Sequence, residues 1–218
     1  MNRKILVIAS ALGLMVAFVA AVLIYNGKQE AAARQLAEAN RAALMRMHAP
    51  TLGNQDAPVV IVEFLDPACE TCRAFYPLVK EMMAANPEKI RLVLRYAPFH
   101  NGSDKVVAVL EAARKQGKFW PTLEALLASQ AEWAPHHTPQ VALVWKHLEG
   151  VGLNMEQMTF DLTAPEIGQV IAQDLADARA LNVTKTPGFF VNGKPLTTFG
   201  YEPLKKLVND ALSETLRR

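Results

Sequence analysis

Cysteine is nearly absent from this sequence: the 218 residues hold two, three apart, as Cys69-Glu70-Thr71-Cys72. A multi-bridge disulfide scaffold is therefore excluded, and any sulfur chemistry is confined to one place. An excess of one charge sign is lacking too. Lysine and arginine number 23 against 21 acidic residues, and a net charge of +2 supplies no broad positive field to hold a nucleic acid backbone, so no nucleic acid partner is expected. Lys205, Lys206, Arg217 and Arg218 read as a solvated helix face. There is no internal repeat, and no low-complexity tract beyond one alanine-rich stretch. With 51% hydrophobic and 20% charged residues, the length suits one substantial core rather than two domains.

A long apolar run is present once, from Ile5 to Tyr25. At about 1.5 Å per residue it reaches about 31 Å, against about 30 Å for a bilayer core. Secretory apolar regions run about 7 to 15 residues and end in a small-residue cleavage site. Here Val19-Ala20-Ala21 is followed by more bulky residues, so residues 5–25 are expected to be an uncleaved anchor, with a cleaved signal as the alternative. Arg3 and Lys4 place residues 1–4 in the cytoplasm, although Lys28 and Arg34 weaken the bias. The expectation is a single-pass inner-membrane protein with its domain in the periplasm or cell exterior, or a soluble periplasmic protein after cleavage. Either way the cysteines leave the reducing cytosol. Residues 26–49 carry Leu36, Ala39, Ala43 and Met47 at helical spacing and read as a helical spacer; a short coiled coil is the sharper alternative. His48-Ala49-Pro50 and Gly53 to Pro58 mark the boundary of a domain over 50–218.

Val59 to Leu65 is apolar on both alternating sets, as in a strand buried on both faces, and it feeds straight into the cysteines. Ile90 to Tyr96 is a second such run after a helical stretch, which predicts a parallel pair. From about 102 to 181 the pattern is helical. Ser103 is expected to cap a stripe of Val106, Leu110 and Ala113, and Thr138-Pro139 to open a segment with Val141, Trp145 and Leu148. Phe189-Phe190-Val191 and Leu196 to Phe199, separated by Asn192-Gly193, predict a hairpin, with a last helix from about Glu202. The fold class is α/β: a mixed sheet flanked by helices, with an inserted helical subdomain.

A strand followed at once by C-x-x-C at a helix start has chemistry attached. Unpaired N–H groups and the helix dipole stabilise a thiolate at Cys69, and Cys72 one turn on can resolve a mixed disulfide from within. Half a zinc site looks the same, but His48, His100, His136, His137 and His147 are scattered without a second ligand pair, so no metal and no cofactor is expected. The His136-His137 pair reads as a surface loop, Trp120, Trp133 and Trp145 as core, and Met82 and Met83 as packing residues rather than copper ligands.

From about Pro50 onward the chain resembles the thioredoxin superfamily, in its DsbA-like branch with a helical insertion. The resemblance rests on Cys69-Glu70-Thr71-Cys72, Glu63 six residues before Cys69, Pro77 eight after it, Gln116-Gly117-Lys118-Phe119-Trp120, and Thr186 to Lys194. It implies that Glu63 is a buried carboxylate relaying protons to Cys72, and that Pro77 kinks the active-site helix. It further implies that Pro187 is cis, with Thr186 presenting backbone to substrate. A strand-end carboxylate turned to solvent is the alternative for Glu63. Glu70-Thr71 stands where the strongly oxidising members carry Pro-His, so these two residues are expected to tune the redox poise. The resemblance implies a protein-disulfide oxidoreductase acting on exported protein thiols or disulfides, with a membrane redox partner. A disulfide donor is favoured, a periplasmic reductant or isomerase is second, and a Cys-based copper-binding module is third.

Overall fold

The computed structural model describes residues 3–215. One helix, α1, runs unbroken from Arg3 to Leu44, so the apolar run and the alanine-rich stretch form a single rod. Two strands follow, β1 (Thr51–Leu52) and β2 (Val59–Leu65), then helix α2 (Glu70–Ala85) and strand β3 (Ile90–Tyr96). β2 and β3 pair in parallel from Val59↔Ile90 to Leu65↔Tyr96, as their doubly apolar patterns predict. β1 pairs antiparallel with β3, and β4 (Gly188–Val191) antiparallel with β2; β5 (Lys194–Pro195) completes the order β1-β3-β2-β4-β5.

Between β3 and β4 lies the helical insertion: α3 (Ser103–Lys115), α4 (Phe119–Ala128), α5 (Gln130–Trp133), α6 (Val141–Val144), α7 (Met155–Asp161) and α8 (Pro165–Ala180). Trp133 is fully buried at its centre. The last helix, α9, covers Tyr201–Thr215. The two sheet faces carry separate cores. Ile61, Leu65 and Leu94 point to the side of α2 and the insertion, while Val62, Phe64, Val93 and Phe190 pack with Leu44 and Ala178 on the other.

Three local expectations change. Ser103 is the first residue of α3, not its cap; Gly102, at φ 91°, holds the cap position, and the buried Ser103 Oγ has no hydrogen-bond partner among the described residues. The segment after Thr138-Pro139 is one turn of helix followed by 3-10 turns, and the chain reaches it through His136 and His137, both in the left-handed region at φ 51° and 59°. Asn192 and Gly193, at φ 47° and 81°, do make the tight turn expected of a hairpin. Its return arm, however, is only Lys194–Pro195. After Leu196 N donates to Phe189 O at 2.9 Å the chain leaves the sheet, and Phe199 stacks on Phe75 at 4.9 Å.

The end of α1 is locked to the domain through a buried charge network. Arg95 of β3 is fully buried and donates to Asp174 Oδ1 at 2.6 and 3.0 Å and to Asp177 Oδ2 at 2.6 Å. Its Nη1 also donates to the carbonyls of Ala43 and Leu44, at 3.2 Å for Leu44. Arg46 forms a two-armed pair with Asp177, and His48 Nε2 lies 2.6 Å from Asp174 Oδ1.

Candidate active site

β2 ends at Leu65, and residues 66–69 turn the chain into α2 with Cys69 as the N-cap, in an extended conformation. Its Sγ accepts from the Cys72 N–H at 3.4 Å and lies 3.4 Å from the Thr186 carbonyl, to which the thiol donates. Both cysteines are free and buried, at 4% and 0% exposure. The Cys72 thiol, donating to Cys69, lowers the Cys69 pKa to about 5; the Thr186 side chain, as distinct from its carbonyl, and the amides of Cys72 and Thr71 add to the effect against the cost of burial. Cys72 moves the other way. Burial pushes it well above its ordinary value, and sharing its proton with Cys69 pushes it further.

Glu63, in mid-strand, is fully buried, and neither carboxylate oxygen has a hydrogen-bond partner among the described residues. Burial, then the charge on Cys69, raises its pKa to about 8. The solvent-facing alternative does not hold. The Thr186-Pro187 peptide bond is cis, and Thr186 lies beside Cys69. Glu70 is exposed and Thr71 half-buried on the first turn of α2, and Pro77 lies within that helix. Phe75, Phe189 and Phe199 form an aromatic row next to Pro187, and Lys185 Nζ sits 5.7 Å from the Phe199 ring centroid.

Four residues that were not singled out, or were read otherwise, hold the nucleophile's loop. Asp66 is fully buried; its Oδ1 accepts from Ala68 N–H at 2.9 Å, and its Oδ2 accepts from His100 N–H at 2.9 Å and from the His100 ring at 2.7 Å. Gln130 of α5, also fully buried, donates from Nε2 to the carbonyls of Pro67 at 2.7 Å and Cys69 at 3.0 Å. The His137 ring stacks on His100 at 4.7 Å and 12°, with its Nδ1 3.2 Å from the Ala68 carbonyl. The reading of His136-His137 as a surface loop misses this stack, since His137 sits half-buried in a short 3-10 turn against His100 and the Ala68 carbonyl. Nothing local in the sequence says that residue 137 lies over residue 68. Among the described residues, no group of three or more His, Cys, Asp or Glu side chains is arranged to hold a metal ion. Met82 is buried in the core and Met83 packs against it.

A thioredoxin family model matches residues 43–210. Among curated proteins, the chain is similar to the Na(+)/H(+) antiporter NhaA of Herminiimonas arsenicoxydans, 32% identical over 148 residues, covering 66% of this chain and 22% of that protein. It is also similar to Na(+)/H(+) antiporter NhaA 1 of Salinispora arenicola, 31% identical over 170 residues, covering 76% and 25%. The chain thus spans about a quarter or less of the length of these relatives. Among solved structures, a thioredoxin-like oxidoreductase from Silicibacter pomeroyi DSS-3 superposes with a TM-score of 0.69 at 33% identity, covering 79% of this chain and 98% of that one. BdbD from Bacillus subtilis (0.65, 23%, covering 76% and 94%) and the catalytic domain of Proteus mirabilis ScsC (0.68, 20%, covering 83% and 98%) share the fold.

Proposed function

This chain belongs to the thioredoxin family, and from that membership we propose that it is an exported thiol-disulfide oxidoreductase that donates the Cys69–Cys72 disulfide to other exported proteins. The observation that carries the reading is the opposed environment of the two thiols. Cys69 is stabilised as a thiolate at the mouth of the site, while Cys72 is kept protonated beneath it.

In the oxidised protein, a substrate thiolate attacks the Cys69 sulfur. The Cys69–Cys72 bond breaks, a mixed disulfide forms, and Cys72 leaves as a thiolate that must be neutralised because it is buried. Glu63, at about pKa 8, holds the proton for this step. A second substrate thiol then attacks the substrate sulfur of the mixed disulfide and expels Cys69, a good leaving group as its pKa is low. Two electrons pass from the substrate dithiol to the protein, which ends as a dithiol. Thr186, with its carbonyl beside Cys69 and followed by the cis bond to Pro187, offers backbone along which an extended substrate chain can lie. Glu70 and Thr71 then tune the thiolate from the solvent side.

We place the domain outside the cytoplasm on α1, whose Ala11–Glu38 stretch contains a window long and apolar enough to cross a membrane. A helix near the N-terminus is equally the form of a signal sequence, so fractionation and N-terminal sequencing decide between anchor and leader.

The experiment on the chemistry is trapping. Cys72→Ser should accumulate mixed disulfides between Cys69 and exported proteins, and Cys69→Ser far fewer; equal trapping by both removes the assigned roles. Rapid alkylation in cells should find the wild-type pair mostly oxidised. A mostly reduced pair would make the protein a reductant or isomerase.

A further inference from the structure

α1 leaves the domain at the pole opposite the cysteines. β2 runs from Val59 to Leu65 and delivers Cys69 at its C-terminal end, where Gly188, just after Pro187, pairs with Phe64. The Asn192-Gly193 turn lies at the other end: Asn192 N–H donates to Val60 O at 2.9 Å, and Val60 N–H to Asn192 Oδ1 at 2.8 Å.

α1 touches both ends in order. Ala37 packs so closely on Gly193 that a Cβ placed there would stand 2.8 Å from the Ala37 Cβ. Further along, Leu44 is buried among Val62, Phe64, Val93 and Phe190, and Arg95 holds the last two carbonyls of the helix. α1 therefore lies along the sheet in the direction of β2, and its upstream part continues past the turn, away from Cys69. The junction is not a free tether, because the Arg95, Asp174, Asp177 and Arg46 network binds it to β3 and α8. The rod stays helical upstream, with no proline before Pro50, a Gln29–Tyr25 bond of 3.0 Å and a Glu30–Arg34 pair at 3.9 Å.

We infer that Cys69 works on the face of the domain farthest from the membrane, so that its partners are soluble exported polypeptides or a soluble carrier, not thiols at the bilayer surface. The inference rests on the reading of α1 as an uncleaved anchor. From Tyr25 to Ala37 the helix rises about 18 Å at ~1.5 Å per residue. From the level of Val60 to that of Cys69 adds roughly 20 Å at ~3.3 Å per strand residue. Cys69 then stands roughly 35 to 40 Å above the end of the apolar run, several side-chain lengths beyond lipid headgroups. A membrane redox partner would have to present its own thiols at that height.

The test uses the full chain in vesicles of phosphatidylethanolamine and phosphatidylglycerol that carry a headgroup-attached paramagnetic quencher. One probe is a fluorophore on Cys69 in C72S; the other is a fluorophore on K28C in the C69S/C72S background. Flotation comes first, and protein that does not float with the vesicles removes the anchor reading and this inference with it. With floating protein, the residue-28 probe should be strongly quenched and the Cys69 probe less than a tenth as much; equal quenching overturns the orientation while leaving the anchor intact. A functional arm uses the oxidised full chain as stoichiometric disulfide donor. It should oxidise a soluble dithiol peptide at least tenfold faster than thiol-headgroup lipids in its own vesicle. Replacing residues 27–36 by a flexible Gly-Ser segment should raise the lipid-thiol rate by tenfold or more and leave the peptide rate unchanged. Equal rates on lipid and peptide in the unaltered chain would overturn the inference.

Discussion

Among the described residues Glu63 has no hydrogen-bond partner and no counter-ion, so the folded protein keeps a proton that the unfolded chain gives up. Between about pH 4.5 and 8 the unfolded state therefore binds fewer protons, and stability falls as pH rises through that window, by on the order of 4 kcal/mol in total. Cys69 acts in the opposite sense, since its lowered pKa adds stability as pH rises from about 5 to 9. Glu63→Gln isolates the first effect. Urea unfolding of the reduced proteins at pH 5 and pH 8 should show the variant gaining about 3 to 4 kcal/mol on wild type at pH 8 and little at pH 5, while release of Cys72 in thiol exchange slows. A constant difference across pH would mean that Glu63 is ionised in the fold. Glu70 exerts less influence than its place between the cysteines suggests. It is exposed, and a unit charge acting through water contributes at most about 1 kcal/mol at ~4 Å and less beyond, or about 20 mV or less for a two-electron couple. The Cys72 hydrogen bond, working against the cost of burial, sets most of the poise. At pH 7, a thiol held two units below ambient favours the dithiol by up to about 60 mV, before screening by solvent reduces it. Glu70→His should therefore raise the reduction potential by about 10 to 30 mV in glutathione equilibration. A shift several times larger would show that residue 70 contacts the sulfur directly.

The insertion does more than cover the active-site helix. Its α5 contributes Gln130, whose amide holds the carbonyls of Pro67 and Cys69, and the loop after it contributes His137 to the stack on His100. Two elements distant in sequence thus fix the four residues that aim Cys69. Truncating Gln130 to Ala would strand two buried carbonyls, each costing about 1 to 3 kcal/mol where no water enters. We expect Gln130→Ala to lower stability by about 2 to 4 kcal/mol in denaturant titration and to raise the Cys69 pKa, measured by thiolate absorbance against pH. Loss of stability with an unchanged thiol pKa would confine Gln130 to packing. The insertion also reaches α2 itself: Phe75, Tyr76, Val79 and Met82 dock on the core, the Tyr76 hydroxyl donates to Glu124 of α4 at 2.9 Å, and Pro77 sits on the exposed side.

On the far face of the sheet, a fully buried arginine joins the end of α1 to the domain. Such a network is retained at a desolvation cost, and removing one partner leaves the other charged and uncompensated, typically a loss of about 3 to 5 kcal/mol. Asp174 receives Arg95, the His48 ring and the Tyr96 amide on its two oxygens, so Asp174→Asn should destabilise the domain by about that amount in urea unfolding. It should also expose the junction after Leu44 to limited proteolysis. An unaltered cleavage pattern would mean that Leu44 packing alone secures the helix.

How much of this was legible in the chain follows the range of the interactions. Val59–Leu65 and Ile90–Tyr96 announce themselves because burial on both faces requires apolar residues at every position, and the cysteines, Glu63 and Thr186-Pro187 carry spacing that survives in the sequence. Helices in the insertion show in their period, but their ends do not: Ser103 reads as a cap and turns out buried and unbonded, since the preceding left-handed glycine decides the boundary. Gln130, His100, His137 and Asp66 left no local signal, because each acts on a backbone or ring brought up from elsewhere in the chain. Arg95 and Asp174 lie in segments whose patterns predict only strand and helix, and their pairing is a fact of packing. The sequence by itself determined the family, the dithiol and the apolar rod, all of which depend on residue type and near-neighbour spacing. Only the tertiary structure decided which end of the sheet the rod leaves from, which side chains hold the nucleophile's loop, and how strongly burial separates the two thiols. Those depend on distances across the fold, and on a dielectric that exists only once the core has closed.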